Sequence, residues 1–162
     1  MKNTASASFL LLLITFLSAH VALAASTSVG VGVSRGNSDS MSYSLNITQR
    51  YDHWVDNEIF QLGPTAELGA HAWVDDNSDT VWGAYLAPGL QLNLFTSSAI
   101  RPFIAGSVGV AVNSEDKLDE RDLGSHVLLR SKGSVGVSFG EGYRHRIQGE
   151  FINYSTWGIS NT

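Results

Sequence analysis

The stretch Met41-Ser42-Tyr43-Ser44-Leu45-Asn46-Ile47-Thr48-Gln49-Arg50-Tyr51 alternates residue by residue. Its odd positions are Met41, Tyr43, Leu45, Ile47, Gln49 and Tyr51, and its even positions are Ser42, Ser44, Asn46, Thr48 and Arg50. Successive side chains of a strand point to opposite faces, so this period of two predicts a strand with one apolar and one polar side. At ~3.3 Å per residue it measures about 36 Å, and a tilt of ~40° reduces the span to about 27 Å, close to the apolar band of a membrane barrel.

The alternation recurs along the chain. Phe60, Leu62, Pro64, Ala66, Leu68, Ala70 and Ala72 stand against Gln61, Thr65, Glu67 and His71, and Trp82, Ala84, Leu86, Pro88, Leu90, Leu92 and Leu94 form another apolar row. Ile100, Pro102, Ile104, Val108, Val110 and Val112 oppose Arg101, Ser107 and Asn113. Val127, Leu129, Val135, Val137 and Phe139 oppose His126, Arg130, Lys132 and Ser134. Thr27 to Arg35 opens the series with valines against glycines, and Tyr143 to Trp157 ends it. Turn-forming stretches separate the segments at Gly36-Asn37-Ser38, Asp75 to Asp79, Thr96-Ser97-Ser98, Asn113 to Asp122 and Gly140-Glu141-Gly142. The expected fold is all-β, an up-and-down antiparallel transmembrane β-barrel.

The polar faces carry long charged residues of both signs: Glu67, Glu150, Arg101, Arg130, Lys132, Arg144 and Arg146. Inside a small barrel these form a paired network while the apolar face meets lipid. A soluble barrel around a small ligand inverts the arrangement. Strand length and the aromatics Tyr51, Trp54, Trp73, Trp82, Tyr143 and Trp157 near segment ends favour the membrane reading, because interfacial girdles are aromatic. Seven segments are an odd number, whereas single-chain bacterial barrels close with even numbers, so the last strand is expected to be missing from this chain.

The first residues carry a leader pattern. Lys2, an apolar run from Phe9 to Leu17 too short to span a bilayer, and Ala22-Leu23-Ala24 together read as a signal peptide over 1–24, leaving 25–162 as one exported barrel domain. The chain has no cysteine, which excludes disulfide staples, thiolate chemistry and cysteine-based zinc sites. A net charge of −5 without a basic stripe argues against a nucleic-acid partner. The acidic run Asp75 to Asp79 lacks the spaced bidentate glutamate of a calcium loop and reads as solvated, so no metal or cofactor is expected.

On the last segment Asn153 and Ser155 interrupt an otherwise apolar face, ~6.6 Å apart along the strand. Polar groups facing lipid are costly and ask for a function, unless they lie at headgroup level. Ile100-Arg101-Pro102-Phe103-Ile104, Gly106, Gly109-Val110-Ala111, Leu123-Gly124-Ser125 and Phe151-Ile152-Asn153-Tyr154-Ser155-Thr156-Trp157-Gly158-Ile159 together resemble the second half of the lipid A 3-O-deacylases, the PagL-like family. The resemblance implies an eight-stranded barrel of the bacterial outer membrane. It also implies lipopolysaccharide as partner and hydrolysis of the ester at the 3 position of lipid A by a Ser-His-Glu triad near the outer leaflet.

Carried over by that resemblance, Ser155 stands at the nucleophile, Tyr154 at the aromatic before it, Thr156 at a position next to the oxyanion hole and Gly158 at the signature glycine. Asn153 occupies the histidine position, and the acidic member is expected beyond Thr162. A serine hydroxyl needs a base of intermediate pKa, which an amide is not, so a triad without its histidine keeps only residual catalysis. Three readings follow: a weak or degenerate serine esterase, a non-catalytic barrel that binds lipopolysaccharide or builds the membrane wall, and a soluble exported barrel for a small ligand.

Overall fold

The computed structural model describes residues 24–35, 40–74, 80–95, 97–115, 117–118, 121–122 and 125–156. Ten strands occur among them: β1 (Ala24–Arg35), β2 (Met41–Tyr51), β3 (Val55–Asp56), β4 (Phe60–Val74), β5 (Thr80–Leu94), β6 (Ile100–Asn113), β7 (Lys117–Leu118), β8 (Arg121–Asp122), β9 (Val127–Phe139) and β10 (His145–Ser155). The seven long ones are those anticipated by the alternation. The first begins three residues earlier than expected, and the last begins after a 3-10 turn at Glu141–Tyr143. The signal peptide, apart from Ala24, lies outside the described residues, as do the acidic run 75–79, Trp157 and Gly158.

Each long strand pairs antiparallel with the next in the order β1-β2-β4-β5-β6-β9-β10, a meander without crossovers. Two short pairings had no counterpart in the sequence reading. β3 adds to β4, and β7 with β8 forms a small hairpin inside the stretch 114–126. Among the described residues no ladder joins β1 to β10, and because the strands alternate in direction these two edges run the same way. One end of the sheet carries 36–40, 75–79 and the longest connection, 114–126; the other carries 52–59, 95–99 and 140–144. Loop length therefore does not alternate as cleanly as expected, and one long loop marks one end.

The sheet is inside out relative to a water-soluble protein. Val31 is 85% exposed and Phe151 77%, with Leu45, Ile104, Val108 and Val135 also turned outward. Glu67, His71, Gln91, Arg130 and Lys132 are buried on the opposite face. This sidedness suits hydrocarbon outside, where exposed aliphatic surface costs nothing, and it is the arrangement of a transmembrane β-barrel rather than of a soluble ligand-binding one.

The interior is layered. At the end bearing 140–144, Arg101 donates to Gln61 (3.0 Å) and stacks on the Tyr143 ring at 3.7 Å. The phenol of Tyr143 donates in turn to the Ser98 carbonyl (2.9 Å), which tethers two neighbouring turns. Gly140 (φ 82°) and Gly142 (φ 64°) supply the left-handed backbone that lets the chain reverse here. One layer in, Arg50 and Arg146 both donate to Gln91. At mid-height Lys132 bridges Glu67 and Glu150, and Arg130 pairs with Glu67 at 3.2 Å. Beyond them Arg130 lies over the Tyr85 ring at 3.9 Å, and a His71, Trp73 and Tyr154 cluster closes the layer.

Three side-chain placements differ from expectation. Arg144 caps the 3-10 turn and is exposed rather than part of the interior network. Trp73 is not a girdle residue, since it packs edge-on against Tyr154 at 4.8 Å on the lumen side. Gln49, on the apolar row of β2, is buried and accepts from the Tyr51 hydroxyl (3.2 Å), so neither residue is a simple lipid-facing group. Trp54 and Trp82 are exposed as expected, 66% and 63%.

Candidate active site on the outer wall

The register of β10 on β9 fixes what surrounds the two polar exceptions. Asn153 pairs with Ser131, Ser155 with Leu129 and Phe151 with Gly133. On the far side of β9, Val108 faces Ser131, Gly106 faces Gly133 and Val110 faces Leu129. Leu90 of β5 in turn opposes Gly106. Alternation puts all of these side chains on the outer face, so Ser131, Asn153 and Ser155 form one polar patch in an aliphatic wall. Asn153 is exposed, Ser131 and Ser155 are half-buried, and Thr156 is exposed just past the strand. Gly158 lies outside the described residues.

A trough adjoins the patch. The row Leu90, Gly106, Gly133, Phe151 crosses four strands, and its two central members have no side chains. A Cβ placed on Gly133 meets nothing within 4 Å, and one on Gly106 meets only the Lys132 carbonyl at 3.8 Å, so these glycines leave open space. Trp54, Pro88, Leu90, Val108 and Phe151 form the apolar banks of this groove. It lies four residues along β10 from Ser155, about 13 Å.

Tyr154 sits between the two candidate residues and points the other way, into the lumen. Its ring meets Trp73 at 4.8 Å and His71 at 5.6 Å. This anchor pins the end of an edge strand whose other face carries Asn153 and Ser155.

No described histidine stands beside Ser155. His71 is 2% exposed, contacts Asn113 Oδ1 at 3.0 Å and faces the lumen, so the sheet itself separates it from the patch. His126 has the parity of the interior but is exposed at the rim, with Nδ1 3.3 Å from the Asn113 carbonyl. His145 packs on Phe139 at the opposite end of β10, and His53 lies in the connection 52–59 against Gly63. No aspartate or glutamate occupies an outward position of the seven long strands. The patch thus offers a nucleophile and hydrogen-bonding groups without a proton acceptor of intermediate pKa.

Two features escaped the sequence reading. Ser131 breaks the apolar parity of β9 just as Asn153 breaks that of β10, so the same count of exceptions reaches it. The groove has a weaker signature, because Gly106 and Gly133 become neighbours only through the pairing of β6 with β9.

Comparison with known proteins bears on this arrangement. No curated protein matches the chain in sequence. Among solved structures, the crystal structure of the outer membrane enzyme PagL superimposes with a TM-score of 0.75 and 22% identity, covering 84% of this chain and 89% of that one. At that identity the likeness establishes the barrel fold. The sequence model of the lipid A 3-O-deacylase (PagL) family matches residues 40–161, which takes in the whole sheet from β2 onward together with the stretch from Asn153 to Gly158. With three quarters of its length accounted for in this way, the chain belongs to the PagL family of lipid A 3-O-deacylases.

Proposed function

We propose that this protein is a serine ester hydrolase of the bacterial outer membrane that removes the 3-O-linked acyl chain of lipid A, slowly, because Asn153 replaces its base. Residues 1–24 direct export and are removed, and 25–162 form the barrel domain. The end bearing the long connection 114–126 faces outward, which puts Ser155 at the level of the outer leaflet, where lipopolysaccharide resides. Lipid A docks against the wall with one acyl chain in the groove floored by Gly106 and Gly133. Ser155 Oγ attacks the ester carbonyl, the sugar hydroxyl leaves, and water then releases the fatty acid from the serine ester. By the family resemblance Thr156 stands next to the position of the developing oxyanion, and Gly158 is the signature glycine.

The observation that carries this reading is the place of Ser155: on the lipid side of the wall, half-buried, about 13 Å along β10 from a side-chain-free trough. A water-soluble substrate has no use for a nucleophile there. Mass spectrometry of lipid A from cells making the chain should show a species lacking one hydroxyacyl group, and Ser155→Ala should abolish it. Persistence of the deacylated species in Ser155→Ala would remove Ser155 from the nucleophile role.

The groove makes a separate expectation. Gly133→Leu fills the trough without a backbone clash, since no atom lies within 4 Å of its Cβ. It should lower lipid A deacylation about tenfold or more by loss of acyl-chain binding, a difference of ~1.4 kcal/mol, while hydrolysis of a short water-soluble ester is unchanged. Equal losses on both substrates would mean that the groove does not hold the chain.

Asn153 favours a second reading, a non-catalytic member that binds lipopolysaccharide. Binding of lipid A to the purified barrel without any acyl release, unaltered in Ser155→Ala, is its signature.

A further inference from the structure

Among the described residues the lumen holds more positive than negative charge, and the excess is concentrated in one place. Glu67 and Glu150 are both committed at mid-height, to Lys132 and, for Glu67, to Arg130 as well. Nearer the 140–144 end, the Arg50 Nε and Arg146 Nη1 groups converge on a single neutral acceptor, Gln91 Oε1, at 3.4 and 2.9 Å. The Gln91 amide is oriented for this by its own nitrogen, which donates to Asn93 Oδ1 at 2.6 Å. Two cationic nitrogens sharing one oxygen lie within about 6 Å of each other, close enough for like charges to repel appreciably.

Neither guanidinium has a compensating carboxylate at ion-pair distance among the described residues. The remaining partners of Arg50 are the hydroxyls of Ser26 (3.4 Å) and Ser28 (3.1 Å), and Arg146 otherwise lies over the Phe103 ring at 3.7 Å. Because each serine oxygen accepts from Arg50, its own O–H remains available to donate. The Arg50, Gln91 and Arg146 side chains, with Ser28, Thr48 and Thr65, line a lumen cavity of about 770 Å³. Glu67 and Glu150 line the same cavity but are committed to Arg130 and Lys132, so the site combines two guanidinium forks and several hydroxyl donors around open space, with no described carboxylate at ion-pair distance from either arginine.

We infer that the lumen between Arg50 and Arg146 is a binding site for a phosphate-class oxyanion. Guanidinium recognises such anions through two parallel N–H···O contacts, and a tetrahedral oxyanion can accept from both arginines and from the serine hydroxyls together. An anion there supplies the negative charge that Gln91 cannot. The site faces the lumen, on the other side of the wall from the Ser155 patch, and owes nothing to ester chemistry.

The test uses the full chain refolded in an uncharged alkyl maltoside, with equilibrium dialysis against radiolabelled inorganic phosphate and thermal unfolding in phosphate or chloride at matched ionic strength. Saturable binding of one equivalent and a rise of roughly 3 °C or more in the unfolding midpoint at saturating phosphate are expected. Gln91→Glu is the decisive variant, because it places a carboxylate of the same shape between the two arginines. It should raise the midpoint in chloride and lose the response to phosphate. Arg146→Gln should weaken phosphate binding at least about tenfold. Short-chain phosphatidylglycerol is the second arm. A response to it alone assigns the anion to a lipid headgroup, and a response to inorganic phosphate assigns it to a free ion. No saturable binding of either, or an undiminished phosphate response in Gln91→Glu, overturns the inference; phosphate bound equally by wild type and Arg146→Gln identifies an adventitious ion only.

Discussion

Asn153→His should raise lipid A deacylation by this protein by about a hundredfold or more, the usual worth of a positioned general base. The substitution puts an imidazole on the outer face two residues before Ser155, ~6.6 Å along the strand. There it can take the hydroxyl proton that the amide of Asn153 cannot accept. No outward carboxylate is present on the described strands to orient that imidazole, so the gain should stop short of a complete triad. Single-turnover release of fatty acid from purified lipid A measures it, and Ser155→Ala added to Asn153→His should return the rate to background. A rate unaffected by Asn153→His, with the barrel folded, would mean that position 153 has no part in proton transfer.

The second large effect concerns stability. Glu67 is 5% exposed and is the only described carboxylate in contact with both Arg130, 1% exposed, and Lys132. Glu67→Gln keeps its shape and deletes its charge. Arg130 is then left buried without a counter-charge, and Lys132 keeps only Glu150 at 3.2 Å. Breaking a buried pair by removing one partner costs about 3–5 kcal/mol, mostly the penalty of the stranded cation. The midpoint of urea unfolding in lipid vesicles should fall accordingly. Adding Arg130→Met to Glu67→Leu should recover a large part of the loss, because a well-packed apolar replacement of a whole buried pair is often neutral. A Glu67→Gln barrel as stable as wild type would show that water in the lumen solvates these charges.

Much of this architecture is written in residue order because a strand displays its two faces as odd and even positions. Leu45 and Asn46, or Val108 and Ser107, announce their sides without any knowledge of their neighbours. Parity alone did not say which face is inside; strand length and the aromatics near segment ends pointed to it, and the burial of Arg130, Lys132 and Ser134 bears that out. Asn153 and Ser155 could be singled out because they break that parity.

What stayed hidden depends on which strands meet, and at what register. The packing of Tyr154 on Trp73 and His71 joins the last strand to β4, residues far apart in the chain and not even on neighbouring strands. The same is true of Arg50, Gln91 and Arg146, which come from three strands and meet only because the sheet curls. Trp73 looked like a girdle aromatic because nearness to a strand end says nothing of the face its ring occupies. The short pairs β3 and β7 with β8 are two residues each, too brief for an alternation to register.

The shared direction of the two edge strands has a consequence for crowding in the bilayer. Copies of the described sheet inserted the same way round present edges that all run alike, β1 and β10 both ending on the side of the long connection. Any ladder formed between such neighbours is parallel, with slanted bonds and less stability per residue than the antiparallel pairs that build the sheet. The odd number of long strands among the described residues thus makes this sheet a poor template for its own kind, since edge-to-edge ladders between like-inserted copies of it are the weaker, parallel ones.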